Sequence, residues 1–410
     1  MTFEAVLRSA TASPFDQDAL DRLAKEALNA GEEEQAIPVL QRALARAPTA
    51  RLWQWKGLLE RAIEHHQQAL DSLGKAAEID PTDISIAHGL ARVTMEAGLD
   101  ARPLYRRARQ LAPQNGQILI GLTAAMAAMG ESEQAASKLQ AGVEGSPMWL
   151  EGHKHLGQML ATLGRADEAT ASLERALERM PTSAPLWETL LNLQLRRGAY
   201  ETLNDIVDRA EKAGVESPEL RIYRGIYASE LDPGTYPTAL FDSAPPEIDA
   251  VLGPWRIRHL LRVGAVEAAL PLIDRELARD ASGHLWAYAS TAWRLAGDPR
   301  SDWLEGDDRL VSVIDLSDSL PPIDQLAATL RSLHIAKGEY LDQSVRGGTQ
   351  TDGPLFSRID PVIRQLRSAI VGAVERHIAQ LPPTDPAHPT LRRRRDRRVR
   401  FSGSWSVRLR

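Results

Sequence analysis

Ten histidines and no cysteine set the limits on metal or nucleophile chemistry in this 410-residue chain. Without Cys there is no disulfide, thiolate ligand or redox pair, so any metal would rest on His and carboxylate side chains. A site made of two His and one carboxylate usually opens with His-x-Asp or His-x-Glu, and none of the ten histidines has Asp or Glu two positions later. His153-Lys154-His155 has the look of a ligand pair, but on a helix an i, i+2 spacing points the two rings to nearly opposite faces. His153 also holds the place that Trp187 holds one repeat later, which reads as packing or groove lining. His65-His66 reads as a solvated or groove feature, and His334 and His377 lie near apolar stripes, as interior or boundary histidines do. No Gly-x-Ser-x-Gly elbow and no phosphate-binding Gly-Lys-Ser/Thr loop occurs.

The sharpest local charge feature is the run Arg392-Arg393-Arg394-Arg395-Asp396-Arg397-Arg398-Val399-Arg400. Arg clusters release counterions on nucleic-acid phosphates. Here no stacking aromatic interrupts the run, and the net charge of −6 argues against nucleic acid as a partner. The reading preferred is a solvated inter-element loop in a domain whose missing part carries the compensating acids. Composition, 43% apolar and 25% charged, is that of an ordinary globular protein. Met1 to Pro14 contains Glu4 and Arg8 and lacks an apolar core, so no signal peptide is expected. The most apolar stretch, Gln117 to Met129, is far short of a membrane span. The expectation is a cytoplasmic protein with no membrane partner.

The elements that position these residues follow a ruler of prolines. Pro48, Pro81, Pro113, Pro147 and Pro181 are 33, 32, 34 and 34 residues apart. Twelve residues before each stands Ala36, Ala69, Ala101, Ala135 or Ala169. Eight before stands Leu40, Leu73, Tyr105, Leu139 or Leu173, and five before stands Ala43, Ala76, Ala108, Gly142 or Ala176. Small residues let two helix backbones approach, the bulky one fills the groove between them, and Pro ends the second helix. The pattern is similar to that of tetratricopeptide repeats, with Gly31, Gly130 and Gly164 at the turns between helices. One further unit keeps Trp187, Leu190, Gly198 and Ala210 in register. Ala269-Leu270-Pro271 to Leu277 then echoes Ala36-Ile37-Pro38 to Leu44, so residues 219–316 read as degenerate helical repeats. Trp286, Trp293 and Trp303 read either as core or as a cap against the next domain.

Ser317 to Pro322 marks a boundary by its turn chemistry. Ile323 to Ile335 is a helix candidate, and Asp360-Pro361 supplies an N-cap and a first-turn Pro. Val362, Leu366, Ile370, Val374 and Ile378 then form an apolar stripe for burial against a sheet. From Ser404 the period becomes two, with Trp405, Val407 and Leu409 on one face, the mark of a half-buried strand whose edge lacks a partner.

Two runs carry a resemblance. The first is Leu341-Asp342-Gln343-Ser344-Val345-Arg346-Gly347-Gly348-Thr349-Gln350-Thr351 with Gly353-Pro354-Leu355-Phe356; the second is Arg400-Phe401-Ser402-Gly403-Ser404-Trp405-Ser406-Val407-Arg408-Leu409-Arg410. Together they resemble the start of the oxygenase domain in 2-oxoglutarate/Fe(II)-dependent oxygenases that carry tetratricopeptide repeats. The resemblance covers about ninety residues, with the repeats upstream as a second match. It implies a mainly α chain: an α-solenoid over 1–218, degenerate repeats over 219–316, and over 317–410 the N-terminal part, helix plus first strand, of a double-stranded β-helix domain. It also implies Fe(II) and 2-oxoglutarate as cofactors of a complete domain. In that family the His-rich metal segment follows the second run, so this chain is expected to stop before it and to lack turnover.

No ligand is carried over, and none of Gln343, Ser344, Arg346, Gly347, Gly348, Gln350, Trp405 and Arg408 has an assigned role. Ordering of the loop through backbone hydrogen bonds stands beside substrate contact for them. Two function classes follow: an oxygenase-family member whose solenoid holds a protein or peptide on its concave face, or a non-catalytic scaffold doing the same.

Overall fold

The computed structural model describes residues 2–231, 246–279, 283–341, 343, 346–393 and 395–409. After a leading helix, Phe3–Ala12, six helix pairs follow the proline ruler. Unit 1 is Gln17–Ala30 with Glu33–Leu44, unit 2 Ala50–Ala62 with His66–Ile79, and unit 3 Ile84–Glu96 with Arg102–Leu111. Unit 4 is Gly116–Ala128 with Ser132–Gly145, unit 5 Leu150–Thr162 with Ala171–Arg179, and unit 6 Ala184–Arg197 with Leu203–Lys212. In units 1 to 4 the first helix opens on a polar cap: Asp16, Thr49, Asp83 and Asn115 each accept a backbone N–H from the first turn.

The marker residues form the core. Ala36, Ala69, Ala101, Ala135 and Ala169 are buried, as are Leu40, Leu73, Tyr105, Leu139 and Leu173. Where the pattern departs from Leu, the neighbour compensates. Tyr105 fills space that a side chain opposite would need, since a Cβ on Gly121 would lie 2.1 Å from Tyr105 Cε1. Burial pushes the Tyr105 hydroxyl up to about 12. Successive first helices touch one another, whereas second helices touch their successors only between units 4 and 5 among the stronger contacts. In a curved stack the closer-spaced layer is the inner one, so the first helices line the concave face.

The helices of each unit reverse at a left-handed residue. Five of these are Gly31, Gly98, Gly130, Gly164 and Gly198; in unit 2 the place is held by Glu64, at φ 62°. Beyond unit 6 the helices Leu220–Leu231, Pro246–Arg262, Val266–Arg279, Gly283–Ala296 and Arg300–Glu305 continue. Ala269 and Ile273 are fully buried, as Ala36 and Leu40 are in the segment they echo. Trp293 is core, while Trp286 and Trp303 stack outward from it at 6.2 Å centroid steps.

The C-terminal module holds helices Ile323–Leu333 and Pro361–Gln380 and two short strands, β1 (Gly348–Gln350) and β2 (Val407–Leu409). Asp360 caps the second helix as expected, accepting from the N–H groups of Val362 and Ile363. Its buried residues are Val362, Ile363, Ala369 and Ala373, and it packs on Ile323–Leu333 and the turn Leu355–Ser357 rather than on a sheet. The expected strand is present, but its edge is paired: β2 runs antiparallel to β1 with Gly348 opposite Leu409. Nor is it half-buried, since Trp405 is 54% and Leu409 66% exposed. A two-stranded ladder offers no second layer to cover that face, and it does not amount to a double-stranded β-helix. No described helix is long and apolar enough to cross a membrane.

Charge pairs one unit apart stitch the solenoid, among them Arg165 to Glu133 at 3.0 Å and Arg209 to Glu174 at 2.5 Å. A partly buried knot joins units 2 and 3, where Glu96 accepts from Arg61 Nε and Nη2, each at 2.6 Å, and lies 3.6 Å from His66 Nε2. Burial alone would raise the Glu96 carboxyl; His66 and Arg61, helped by Arg92, outweigh it and hold it at about 2. A depressed carboxylate contributes stability that is complete above its unfolded pKa and is lost as pH falls through the folded one. Acid titration from pH 4.5 to about 2 should therefore remove on the order of 3 kcal/mol from units 2 and 3. Denaturant melts of wild type and Glu96→Gln across that range test this; a Gln variant with the wild-type pH dependence would assign the loss elsewhere.

Candidate functional site

The two runs singled out in the sequence knit to each other. Beyond the β1–β2 ladder, Thr351 N–H donates to Ser406 O at 3.1 Å, Ser406 N–H to Thr351 Oγ1 at 3.0 Å, and Leu355 N–H to Ser404 O at 2.8 Å. His334 bridges them from the side, with Nδ1 2.9 Å from Thr349 Oγ1 and Nε2 2.7 Å from Ser406 Oγ. Burial, then the charge of Arg408, lowers its pKa, so the ring sits between two hydroxyls as a neutral imidazole near pH 7.

Gln343 is buried and clasps the loop, its Nε2 donating to Gly348 O at 3.0 Å and its Oε1 accepting from Tyr340 N–H at 3.3 Å. Gly347 takes a left-handed turn (φ 76°), and its N–H donates to Glu339 at 2.7 Å. Arg346 lies 3.5 Å from the same carboxylate. Gly348 and Gln350 are ladder residues, opposite Leu409 and Val407, and Arg408 stands opposite Thr349. Trp405 is exposed to solvent. Ser344, Asp342, Val345, Arg394 and Arg410 lie outside the described residues. What these contacts do is order a loop through its backbone. Among the described residues no three His, Cys, Asp or Glu side chains stand together as metal ligands.

The module docks along the row of left-handed turns, unit by unit. At unit 1, Arg400 reaches Gly31 O at 3.1 Å and Glu33 at 2.8 Å, while Arg397 pairs with Glu32 and Arg398 with Glu33 and Glu34. The acids that balance Arg397, Arg398 and Arg400 are thus in the first repeat, not in a missing part of the C-terminal domain as expected, because the run lies against the solenoid rather than in solvent. At unit 2, Glu64 accepts from Arg367 at 2.5 Å and from Phe401 N–H at 3.3 Å. At unit 3, Ile359 N–H donates to Ala97 O at 3.1 Å.

At unit 5 the chain enters the concave face. Lys337 and Gly338 N–H both donate to Thr162 O, at 2.8 and 3.0 Å, and Leu341 N–H to Gln158 Oε1 at 3.3 Å. A cavity of about 290 Å³ remains beneath this segment, lined by Ala124, Ala127, His155, Gln158, Tyr340 and Asp352. Burial, reinforced by the charge of Asp352, pushes the Tyr340 hydroxyl far up, and Gln158 Nε2 is buried without a hydrogen-bond acceptor.

The histidines divide by role. His153 is core, its Nδ1 2.8 Å from Ser172 Oγ and its Nε2 3.0 Å from Pro147 O, while His155 faces the groove cavity. His66 belongs to the Glu96 knot, and His377 Nδ1 lies 2.7 Å from Ser312 Oγ. His388 is 1% exposed and sits at a module–solenoid contact. Nothing but its place in a Pro-rich loop sets it apart in the sequence.

Residues 155–182 match the tetratricopeptide repeat family. No curated protein matches. Among solved structures, that of MamA is 20% identical over 39% of this chain and 95% of its own, with a TM-score of 0.34. YrrB, a TPR protein with an unusual peptide-binding site, is 19% identical over 45% of this chain and 97% of its own, with a TM-score of 0.35. A thermophilic TPR protein in Thermus thermophilus is 18% identical over 44% of this chain and 97% of its own, with a TM-score of 0.32. Likenesses at such scores carry no weight for the fold, which rests on the helix pairs themselves.

Gly338 is the tightest point of the docking. A Cβ there would lie 2.2 Å from Ala161 O and 2.9 Å from Gly164 Cα, both backbone atoms that cannot swing away. Gly338→Ala should weaken the seating of residues 335–341 by roughly 1–3 kcal/mol, as overpacking does. Amide exchange at Lys337 and Leu341 reads this directly, and wild-type protection in the variant would mean that the close approach is relaxed at no cost.

Proposed function

We propose that this chain is a tetratricopeptide-type scaffold whose concave face takes an extended polypeptide. The observation that supports this is how its own segment Ile335–Leu341 lies there. Three main-chain donors, from Lys337, Gly338 and Leu341, are received by one first helix, that of unit 5. Main-chain recognition gives affinity with little dependence on sequence, and the side chains around it set the choice of partner. Lys154, His155 and Gln158 stand on the unit 5 helix away from its buried residues His153, Leu156 and Leu160. A library of extended peptides presented to the full chain should yield ligands that lose at least about tenfold in affinity, about 1.4 kcal/mol, on joint Lys154→Ala, His155→Ala and Gln158→Ala substitution. Capture unchanged by those substitutions would sink the reading.

A second reading, that the module is the opening part of a 2-oxoglutarate/Fe(II) oxygenase-like domain, has one observation in its favour. The two runs similar to that family meet across 55 residues of sequence in a single ladder. The described residues do not fit the metal, since no cluster of three ligating side chains is found among them, and no step is routed through iron or 2-oxoglutarate. Incubated with Fe(II) and 2-oxoglutarate, this chain should release no succinate above the rate without protein; measurable turnover would overturn that expectation.

A further inference from the structure

One short piece of chain is anchored near the two ends of the solenoid. At the C-terminal end, His388 Nε2 donates to Leu304 O at 3.0 Å, and Nδ1 accepts the N–H groups of Thr390 and Leu391, both at 3.1 Å. The ring meets Trp303 edge-on at 5.0 Å, and Trp303 Nε1 donates to Asp385 at 3.1 Å. Nine residues later Arg397 begins the set of pairs with Glu32, Glu33 and Glu34 at the first unit. At about 3.3–3.6 Å per residue that span is at most ~32 Å, so the connection limits how far the two ends can part. No described residue between 381 and 406 is helical or in a strand, so side-chain anchors carry the hold.

Two features mark the anchors at the first two units as costly to leave half made. Glu33 is 2% exposed, and its cationic partners are Arg398 and Arg400, both from the module. A buried carboxylate stripped of its cations is strongly unfavourable. At the next turn Glu64 keeps a left-handed backbone where five other units use Gly, and its carboxylate takes Arg367 and Phe401 N–H. A side chain is disfavoured in that region, and here contacts to the module offset the strain.

We propose that these contacts are an ionic strap: Glu32–Glu34 and Glu64, engaged by Arg397, Arg398, Arg400 and Arg367, hold the superhelix closed and keep residues 335–341 seated on the concave face. Releasing the strap then uncovers units 4 and 5. The inference rests on intramolecular contacts and stands whether or not an outside peptide binds.

The test is amide exchange and small-angle scattering on the full chain, in wild type, in Glu33→Gln/Glu34→Gln and in Glu64→Gly. The last restores the residue found at the other turns, so it removes an anchor while relieving unit 2. Both variants should exchange Lys337 and Gly338 amides at least about tenfold faster and show a larger radius of gyration, with helices Ala50–Ala62 and His66–Ile79 as protected as before. Raising salt from about 0.05 M to about 1 M should move wild type the same way, because Arg400 and Glu34 are exposed enough to be screened. Unchanged Lys337 and Gly338 exchange in both variants overturns the strap. So does exchange that rises only together with that of the unit 2 helices, since the contacts would then support the solenoid as a whole.

Discussion

A single left-handed residue per unit, at which two helices reverse, is the constraint on which the rest of this structure depends. The reversal fixes the two helices of a unit antiparallel and in contact, and the alanines at the crossings let them approach closely enough to bury Leu or Tyr between them. Because units recur every 32 to 34 residues, the reversals stack into a row along one edge. Backbone carbonyls near that row, from Gly31, Ala97 and Thr162, have partly lost their intrahelical donors and face outward. The module satisfies them, which explains why so thin a body holds a fixed place.

That arrangement makes the concave face a shared surface. The first helices present small side chains in unit 4, such as Ala124 and Ala127, and longer polar ones in unit 5. Small residues leave room for a backbone, and polar ones give it donors and acceptors. The segment around Gly338 exploits both. An outside polypeptide would meet the same surface, so the geometry couples partner access to the seating of the module.

The repeats were legible because their physics is local. Close helix crossings demand small residues at fixed offsets, and all five alanines and all five bulky partners named from the sequence lie in the core. The echo at Ala269 and Ile273 was legible for the same reason. The Glu64 turn was not, since a carboxylate in a left-handed position carries no pattern and its reason lies 303 residues away in Arg367. The Arg run was visible as a charge anomaly, but its partners lie some 365 residues upstream, among glutamates that read as an ordinary acidic first turn. His388 was hidden because a buried histidine bonded only to backbone and one Trp leaves no spacing to detect.

The family-like runs show how a resemblance and a role can separate. Similarity pointed to a run that holds Gln343, Gly347, Gly348 and Gln350, with no role assigned to any of them. Their hydrogen bonds run mainly to backbone: Gln343 to Gly348 O and Tyr340 N–H, and Gly348 and Gln350 through the ladder. Such bonds hold a loop in one shape without committing a reactive group. They place Arg408 and the neutral His334 side by side at the rim of a shallow cavity with Thr349 and Leu409. A loop so fixed is a platform. Leu409, exposed on the paired strand, is the apolar part of that platform, since burial there would need a further layer rather than a further strand.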